Sequence, residues 1–437
     1  MNSTLTSRFI ESVVAGYRAE DLNEKASLAL FDFITCASAG LAQVSEWFDH
    51  SVGPALVIGS PAGASAEQVA AVNAAAAQVL DRDDLHWPSL THPGSIAWPV
   101  ALAVGGEVNA PFSVVSRAAA IGYEVTARLA SALGPSLRSH WHPTTTAGTV
   151  GGAVAAASVL APDDPDVAIS AAGHAISVSP AMIQVIVEHS PSNVFDRAHA
   201  ARTGVAAGRA ARGGLVGMKH GLEDARGLVS AVAPEANPED LLTVPGEWAL
   251  TNLSLRPYAA TGYAQTAVEA ARSFPPIEPG DIQRVEIVAP PGAAGIAGST
   301  TPGNALERWW SIPYAVAVVL ASDGPAALED PSGIDDAAVA QLLSITELEA
   351  RSGAAAEDLT VDIAITIGGA IVIESAPWHL GHPERPLTDA DRKAKWLAMH
   401  AETRTGQAEA VLRACRQANA SSTRDAAAGI NRALQAD

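Results

Sequence analysis

The chain has 437 residues, of which 48% are hydrophobic and only 5% aromatic, and it carries a formal net charge of -20 at neutral pH. That length affords a sizeable buried core over two or three domains. The negative charge opposes partnership with nucleic acid or an anionic membrane surface, and the two cysteines, Cys36 and Cys415, supply neither a disulfide framework nor a cysteine-rich metal set.

Taken in order, Phe9, Ile10, Val13, Val14 and Tyr17 recur at helical spacing and predict an amphipathic helix over residues 3–18, with Ser3 near its start. A second, largely apolar helix is expected from about Leu22 to Ala39, where Cys36 reads as a buried thiol. The opening MNSTLTSRFIESVVAGY lacks the basic-then-apolar pattern of a secretory leader, and no later run reads as a membrane span. A cytoplasmic protein is therefore expected. Ser65, with Gln68 three residues on, predicts a capped helix running to an acidic cluster.

That cluster opens the stretch DRDDLHWPSLTHPGSIAWP, Asp81 to Pro99. Asp81, Asp83 and Asp84 repel one another unless compensated, and His86 and His92 are the nearby side chains whose ordinary pKa lies close to neutrality. A capped loop at a helix end accounts for the aspartates, but not for the two histidines or for Trp87 and Trp98. Three clustered carboxylates also suggest a metal, yet no ligand set extends beyond them.

A helix is expected after Pro99, then another with Phe112, Val115, Ile121, Val125 and Leu129 along one stripe. His140, Trp141 and His142 precede a helix opened by Pro143 and Thr144 to Thr146, threonines that read as caps. The run AISAAGHAISVSPAMIQVIVEHS predicts one more buried helix, with His174 as a satisfied core residue. Arg197, Arg202, Arg209 and Arg212 then follow on a helix able to present positive charge, with Lys219 and His220 near its end. Beyond Pro257 the pattern changes. DIQRVEIVAP reads as a strand, and DLTVDIAITIGGAIVIESAP as a hairpin turning at Gly368-Gly369. Helices return after Pro386.

Five blocks, DRDDLHWPSLTHPGSIAWPVALA, IGYEVTARLA, HWHPTTTAGTVGGAVAAA, RPYAATGYAQTAVEA and WWSIPYAVAVVLASDG, resemble the MmgE/PrpD family. This family includes methylcitrate dehydratases, cis-aconitate decarboxylase and iminodisuccinate epimerase. The resemblance implies a mainly α protein with a large all-helical domain (1–254), a smaller α+β lid (255–400) and C-terminal helices (401–437) that pack back on the first domain. It also implies a homodimer that needs no metal or cofactor, with a small carboxylic acid as substrate.

The family's acidic motif falls on Asp81, Arg82, Asp83, Asp84, Leu85 and His86, followed by His92-Pro93, and its second histidine falls on His142. Its Lys-Pro-Tyr-Pro-Cys motif becomes Arg256, Pro257, Tyr258, Ala259 and Ala260; a later histidine becomes Gln265, and a further lysine falls on Asp196.

Proton transfer beside a carboxylate needs a base near neutrality and cations that hold developing charge. His92 and His142 fit the acid/base roles, with Asp84, ahead of Asp83, orienting an imidazole. Arg256, Arg197 and Lys219 are the candidate carboxylate holders, joined in substrate contact by His86, Thr91 and Trp87. Because arginine is a poor proton donor, Tyr258, His86 or a water takes the place of the family lysine. Dehydration or decarboxylation of a di- or tricarboxylic acid is expected first. Epimerisation next to a carboxylate, and a noncatalytic binding role, are the alternatives.

Overall fold

Alanine-rich, cap-initiated segments dominate the first half of the chain, and they fold as helices. The computed structural model describes residues 4–47, 53–60, 63–243, 247–322, 324–329, 336–353, 358–400 and 405–435. The chain divides into two units, Met1–Leu253 with Thr403–Asp437, and Ser254–Glu402.

In the first unit, α1 (Leu5–Gly16) starts at Thr4, whose side chain accepts the Ser7 N–H, and buries Phe9, Ile10 and Val13. α2 (Ala19–Val44) extends past both expected ends, with Glu20 and Asp21 favouring its N-terminal turn. A window of this helix is long and apolar enough to cross a membrane, contrary to the expectation from the sequence, but 67% of that window is buried inside the fold, as in a core helix. Strands β1 (Ala55–Leu56) and β2 (Gly63–Ala64) pair antiparallel, so the domain expected to be all helical carries a small ladder. α3 (Ala66–Gln78) is capped by Ser65, which accepts the Gln68 N–H.

Then come α4 (Gly94–Val108), α5 (Phe112–Arg138), α6 (Pro143–Leu160), α7 (Pro165–Ile176), α8 (Gln184–Val187), α9 (Asn193–Arg212) and α10 (Leu228–Val232). Two expectations fail here. α4 begins at Gly94 and runs through Pro99, because burial of nearly every side chain outweighs the one backbone hydrogen bond that proline removes. The segment after Ile176 is not a buried helix: the chain breaks ahead of Pro180, α8 is one turn, and Val178, Met182 and Val187 are exposed.

α6 packs against α5 and α9 at backbone distance. A Cβ on Gly151 would lie 2.1 Å from Thr126 Oγ1 and 2.6 Å from the Gly122 carbonyl oxygen, so only glycine allows this approach.

The second unit contains α11 (Gly262–Ala271), β3 (Ile282–Ala289), α12 (Pro291–Ala297), α13 (Ala305–Trp309), α14 (Ile312–Leu320), α15 (Asp336–Ser344), β4 (Thr346–Ala350), β5 (Val361–Ile367), β6 (Ala370–Ala376) and α16 (Asp389–Met399). The sheet order is β4-β3-β5-β6, with β3 and β4 parallel and the other neighbours antiparallel. Val285, Ile287, Ile363 and Ile365 form one core with α11 and α14. The expected hairpin is present, and Gly368 and Gly369 have φ of 57° and 80°, the left-handed pair that a tight β5–β6 turn requires.

α17 (Thr405–Gln417) and α18 (Thr423–Gln435) rejoin the first unit, where Asn431 Nδ2 donates to the Val57 carbonyl (3.2 Å) and Thr423 Oγ1 to that of Ala110 (2.7 Å).

Candidate active site

The acidic stretch links α3 to α4 as a buried, folded-back loop. His86 and Thr91 pair across it, with the His86 N–H donating to the Thr91 carbonyl (2.8 Å) and the reverse bond at 3.3 Å. Inside this bridge His86 Nδ1 lies 2.7 Å from Ser89 Oγ, which lies 2.7 Å from Thr91 Oγ1. Burial pushes the His86 imidazole down to about 4, so it is neutral at physiological pH. Thr91 is thus a strut of the loop, and Trp87 sits half-buried in its turn.

His92 follows directly. Its Nδ1 lies 2.7 Å from the backbone carbonyl of Asp84, and because a carbonyl only accepts, that nitrogen carries the proton and Nε2 keeps the lone pair. Asp83 Oδ2 stands 3.8 Å from the same Nδ1. The His92 N–H donates to Thr144 Oγ1 (3.2 Å), which ties the loop to the start of α6.

The sequence points to the Asp84 carboxylate as the group that orients an imidazole, and this needs correction. The backbone of Asp84 does the orienting, while its side chain turns to the start of α4. There Oδ1 accepts the Gly94 N–H (3.0 Å), and Tyr123 from α5 faces the same carboxylate. Burial pushes this carboxyl up to about 7; the Tyr123 hydroxyl opposes the rise, Asp83 and Asp32 add to it, and the Gly94 N–H opposes it. The fit leaves no space, since a Cβ on Gly94 would lie 2.2 Å from Tyr123 Oη and 2.4 Å from Asp84 Oδ2.

His142 occupies the N-cap of α6. Its N–H donates to the Ala181 carbonyl (2.7 Å), and its Nδ1 is 2.8 Å from Thr145 Oγ1. Thr146 Oγ1 accepts the Ala181 N–H (3.3 Å). The three threonines expected to cap the helix therefore tether His92, His142 and the 181 segment. Burial holds the His142 imidazole well below its ordinary range, with the Arg197 guanidinium and then the proximity of His92 acting in the same direction. Arg197 reaches it from α9 and is only 1% exposed. The structure thus groups His92, His142, Arg197 and Asp83.

Lys219 is exposed in the turns after α9 and makes no hydrogen bond or ion pair among the described residues. His174 is only half-buried, with Nε2 3.0 Å from the Leu215 carbonyl oxygen.

In the second unit, Arg256 is buried, at 1% exposure. The Tyr258 hydroxyl donates to Glu269 and accepts from Arg272 Nη1 (2.7 Å), while Arg385 Nη1 holds the other Glu269 oxygen at 2.5 Å. Burial, followed by the Glu269 charge, raises the phenol well above its ordinary value, so Tyr258 keeps its proton within this network. Gln265, at the position of a family histidine, donates to the Ala260 (2.7 Å) and Tyr258 (3.1 Å) carbonyls and so fixes the turn that carries these residues.

Sequence reasoning passed over Tyr123 and Asp32. The signal for Asp32 was a lone carboxylate in the apolar run LALFDFITCASAG; Tyr123 gave none beyond a polar atom on a core stripe. Among the described residues no group of three or more His, Cys, Asp or Glu is arranged to hold a metal ion.

A family model for the MmgE/PrpD N-terminal domain matches residues 7–241, and one for the MmgE/PrpD C-terminal domain matches residues 258–418. Comparison with curated proteins found no match. With both domain models matched in order along one chain, the protein belongs to the MmgE/PrpD family, a membership that points to lyase or isomerase chemistry on small acids.

Proposed function

We propose that the protein is a lyase that needs no cofactor and acts by proton transfer on a small di- or tricarboxylic acid, either removing a proton next to a carboxylate with loss of the neighbouring hydroxyl as water, or protonating the carbon left by loss of carbon dioxide. The observation that carries this reading is the His92 arrangement. Its Nδ1 proton is held on the Asp84 carbonyl, which makes Nε2 the basic nitrogen of the ring, and Asp83 stands 3.8 Å from Nδ1 to stabilise the imidazolium that forms when Nε2 takes a proton. His92 is also the more accessible imidazole, at 19% side-chain exposure, against 4% residue exposure for His142.

His142 has a complementary role. Burial, with Arg197 acting in the same direction, keeps it neutral before substrate binds. A substrate carboxylate paired with Arg197 cancels the positive charge that depresses it, so His142 gains basicity only once substrate is bound. Once protonated in that state, it supplies its own proton to the leaving hydroxyl or to the new carbon centre. Two imidazoles that influence each other also favour a second reading, epimerisation, in which one removes the proton and the other returns it to the opposite face. Family membership further supports a homodimeric, cytoplasmic protein; light scattering of the purified chain tests the dimer.

The deciding experiment incubates the protein in deuterated water with a panel of di- and tricarboxylic acids, followed by NMR. An unsaturated product or released carbon dioxide supports the lyase, and deuterium incorporation with inversion and no lost fragment supports the epimerase. Absence of exchange, elimination and decarboxylation across the panel overturns both.

A further inference from the structure

A cavity in the first unit, of about 490 Å³, is lined by His86 of the acidic loop, and the His92–His142 pair does not line it. Its charged lining is Glu124, Arg128, Asp240 and Glu247, with the polar His86, Ser131, Thr243 and Asn252 set among alanine and proline. Arg128 is the distinctive member. Its side chain is 4% exposed, and its Nε donates to Glu124 Oε1 at 2.6 Å. The other Glu124 oxygen accepts the Ala249 N–H (2.7 Å), so that carboxylate is committed to the protein. Arg128 Nη1, by contrast, is buried with no hydrogen-bond partner among the described residues. A buried guanidinium with an unused donor costs free energy unless a ligand acceptor meets it.

The charge around it narrows the ligand. Arg128 and Glu124 offset each other, and His86 is neutral, which leaves the exposed Asp240 and Glu247 as net negative charge on the lining. A simple anion would satisfy Arg128 but meet these carboxylates; a simple cation would satisfy them and leave Arg128 unused. A molecule with both charges satisfies both ends.

We propose that this cavity binds a small zwitterion of the amino-acid class, with its carboxylate on Arg128 and its ammonium toward Asp240 and Glu247. The inference is independent of the chemistry assigned to His92 and His142.

The test uses titration calorimetry on the full chain with glycine, β-alanine and γ-aminobutyrate, and with butyrate and butylamine as single-charge controls. At least one zwitterion is expected to bind about tenfold or more tightly than either control. Ser131 is exposed on the rim, so Ser131→Trp fills the cavity without disturbing the core and is expected to abolish binding at an unchanged melting temperature. Arg128→Lys, which keeps the charge but not the fork, weakens it, and His142→Ala leaves it intact. Any of four results overturns the proposal: no zwitterion binding at millimolar concentration, butyrate binding as tightly as the zwitterions, binding that survives Ser131→Trp, or binding lost in His142→Ala, which would move the ligand to the histidine site.

Discussion

Asp84 gives the sharpest test of the electrostatics beneath the candidate site. Its carboxyl is pushed up to about 7 from an unperturbed 3.8, with burial as the largest cause. Between those two values the unfolded chain has released this proton and the folded chain has not, so rising pH favours unfolding. The penalty is absent below the unfolded value, grows between the two, and is complete above the folded one. Its full size is about 4 kcal/mol. Asp84→Asn removes the titration but keeps an acceptor for the Gly94 N–H and a polar group facing Tyr123. The variant should therefore gain on the wild type as pH rises, the gap widening by about 3 kcal/mol from roughly pH 5 to pH 8. Hydrogen exchange of α4 amides, followed by mass spectrometry across a urea series, reads the unfolding free energy of this unit. Parallel pH profiles for the two proteins would refute the assignment of a raised pKa to Asp84.

His92→Ala and His142→Ala should each lower turnover by about 10²- to 10⁴-fold, with the far-ultraviolet circular dichroism unchanged; unchanged activity removes them from the chemistry. Gly94→Ala places a methyl group against Tyr123 and Asp84 and should cost about 1–3 kcal/mol in the same exchange measurement, because both neighbours are packed within the core. Gly369→Ala meets no atom within 4 Å, so only its φ of 80° opposes the change. Thermal unfolding of the second unit should show a loss of about 1–2 kcal/mol; no loss would mean that the turn tolerates another conformation.

Much of the architecture was legible because its signals are local. Ser65 and the apolar spacing in α1 and α5 announce helices, and the Gly368-Gly369 pair announces a hairpin. β4 was not legible: TELEA is a charged edge segment that buries only Thr346, and what makes it a strand is its parallel pairing with β3, far away in sequence. The histidines of the site were readable from residue type, since few side chains titrate near neutrality. The division of labour between Asp83 and Asp84 was not. It depends on backbone direction in a loop where Asp81 and Leu90 take positive φ, which turns the Asp84 carbonyl, and not its carboxylate, toward His92. The Tyr258 network was hidden for a similar reason, since its partner Glu269 lies about two turns along α11 in a run that reads only as core.

The return of α17 and α18 to the first unit sets an order of events during synthesis. Ser254–Glu402 is one continuous stretch and holds all the residues of its own sheet, so it can close while the ribosome is still translating. The earlier-made helices wait longer. The Ala110 and Val57 carbonyls and the Phe112 N–H find their partners in Thr423, Asn431 and Ser421, which emerge only after the whole second unit. The unit that carries His92 and His142 is therefore begun first and finished last.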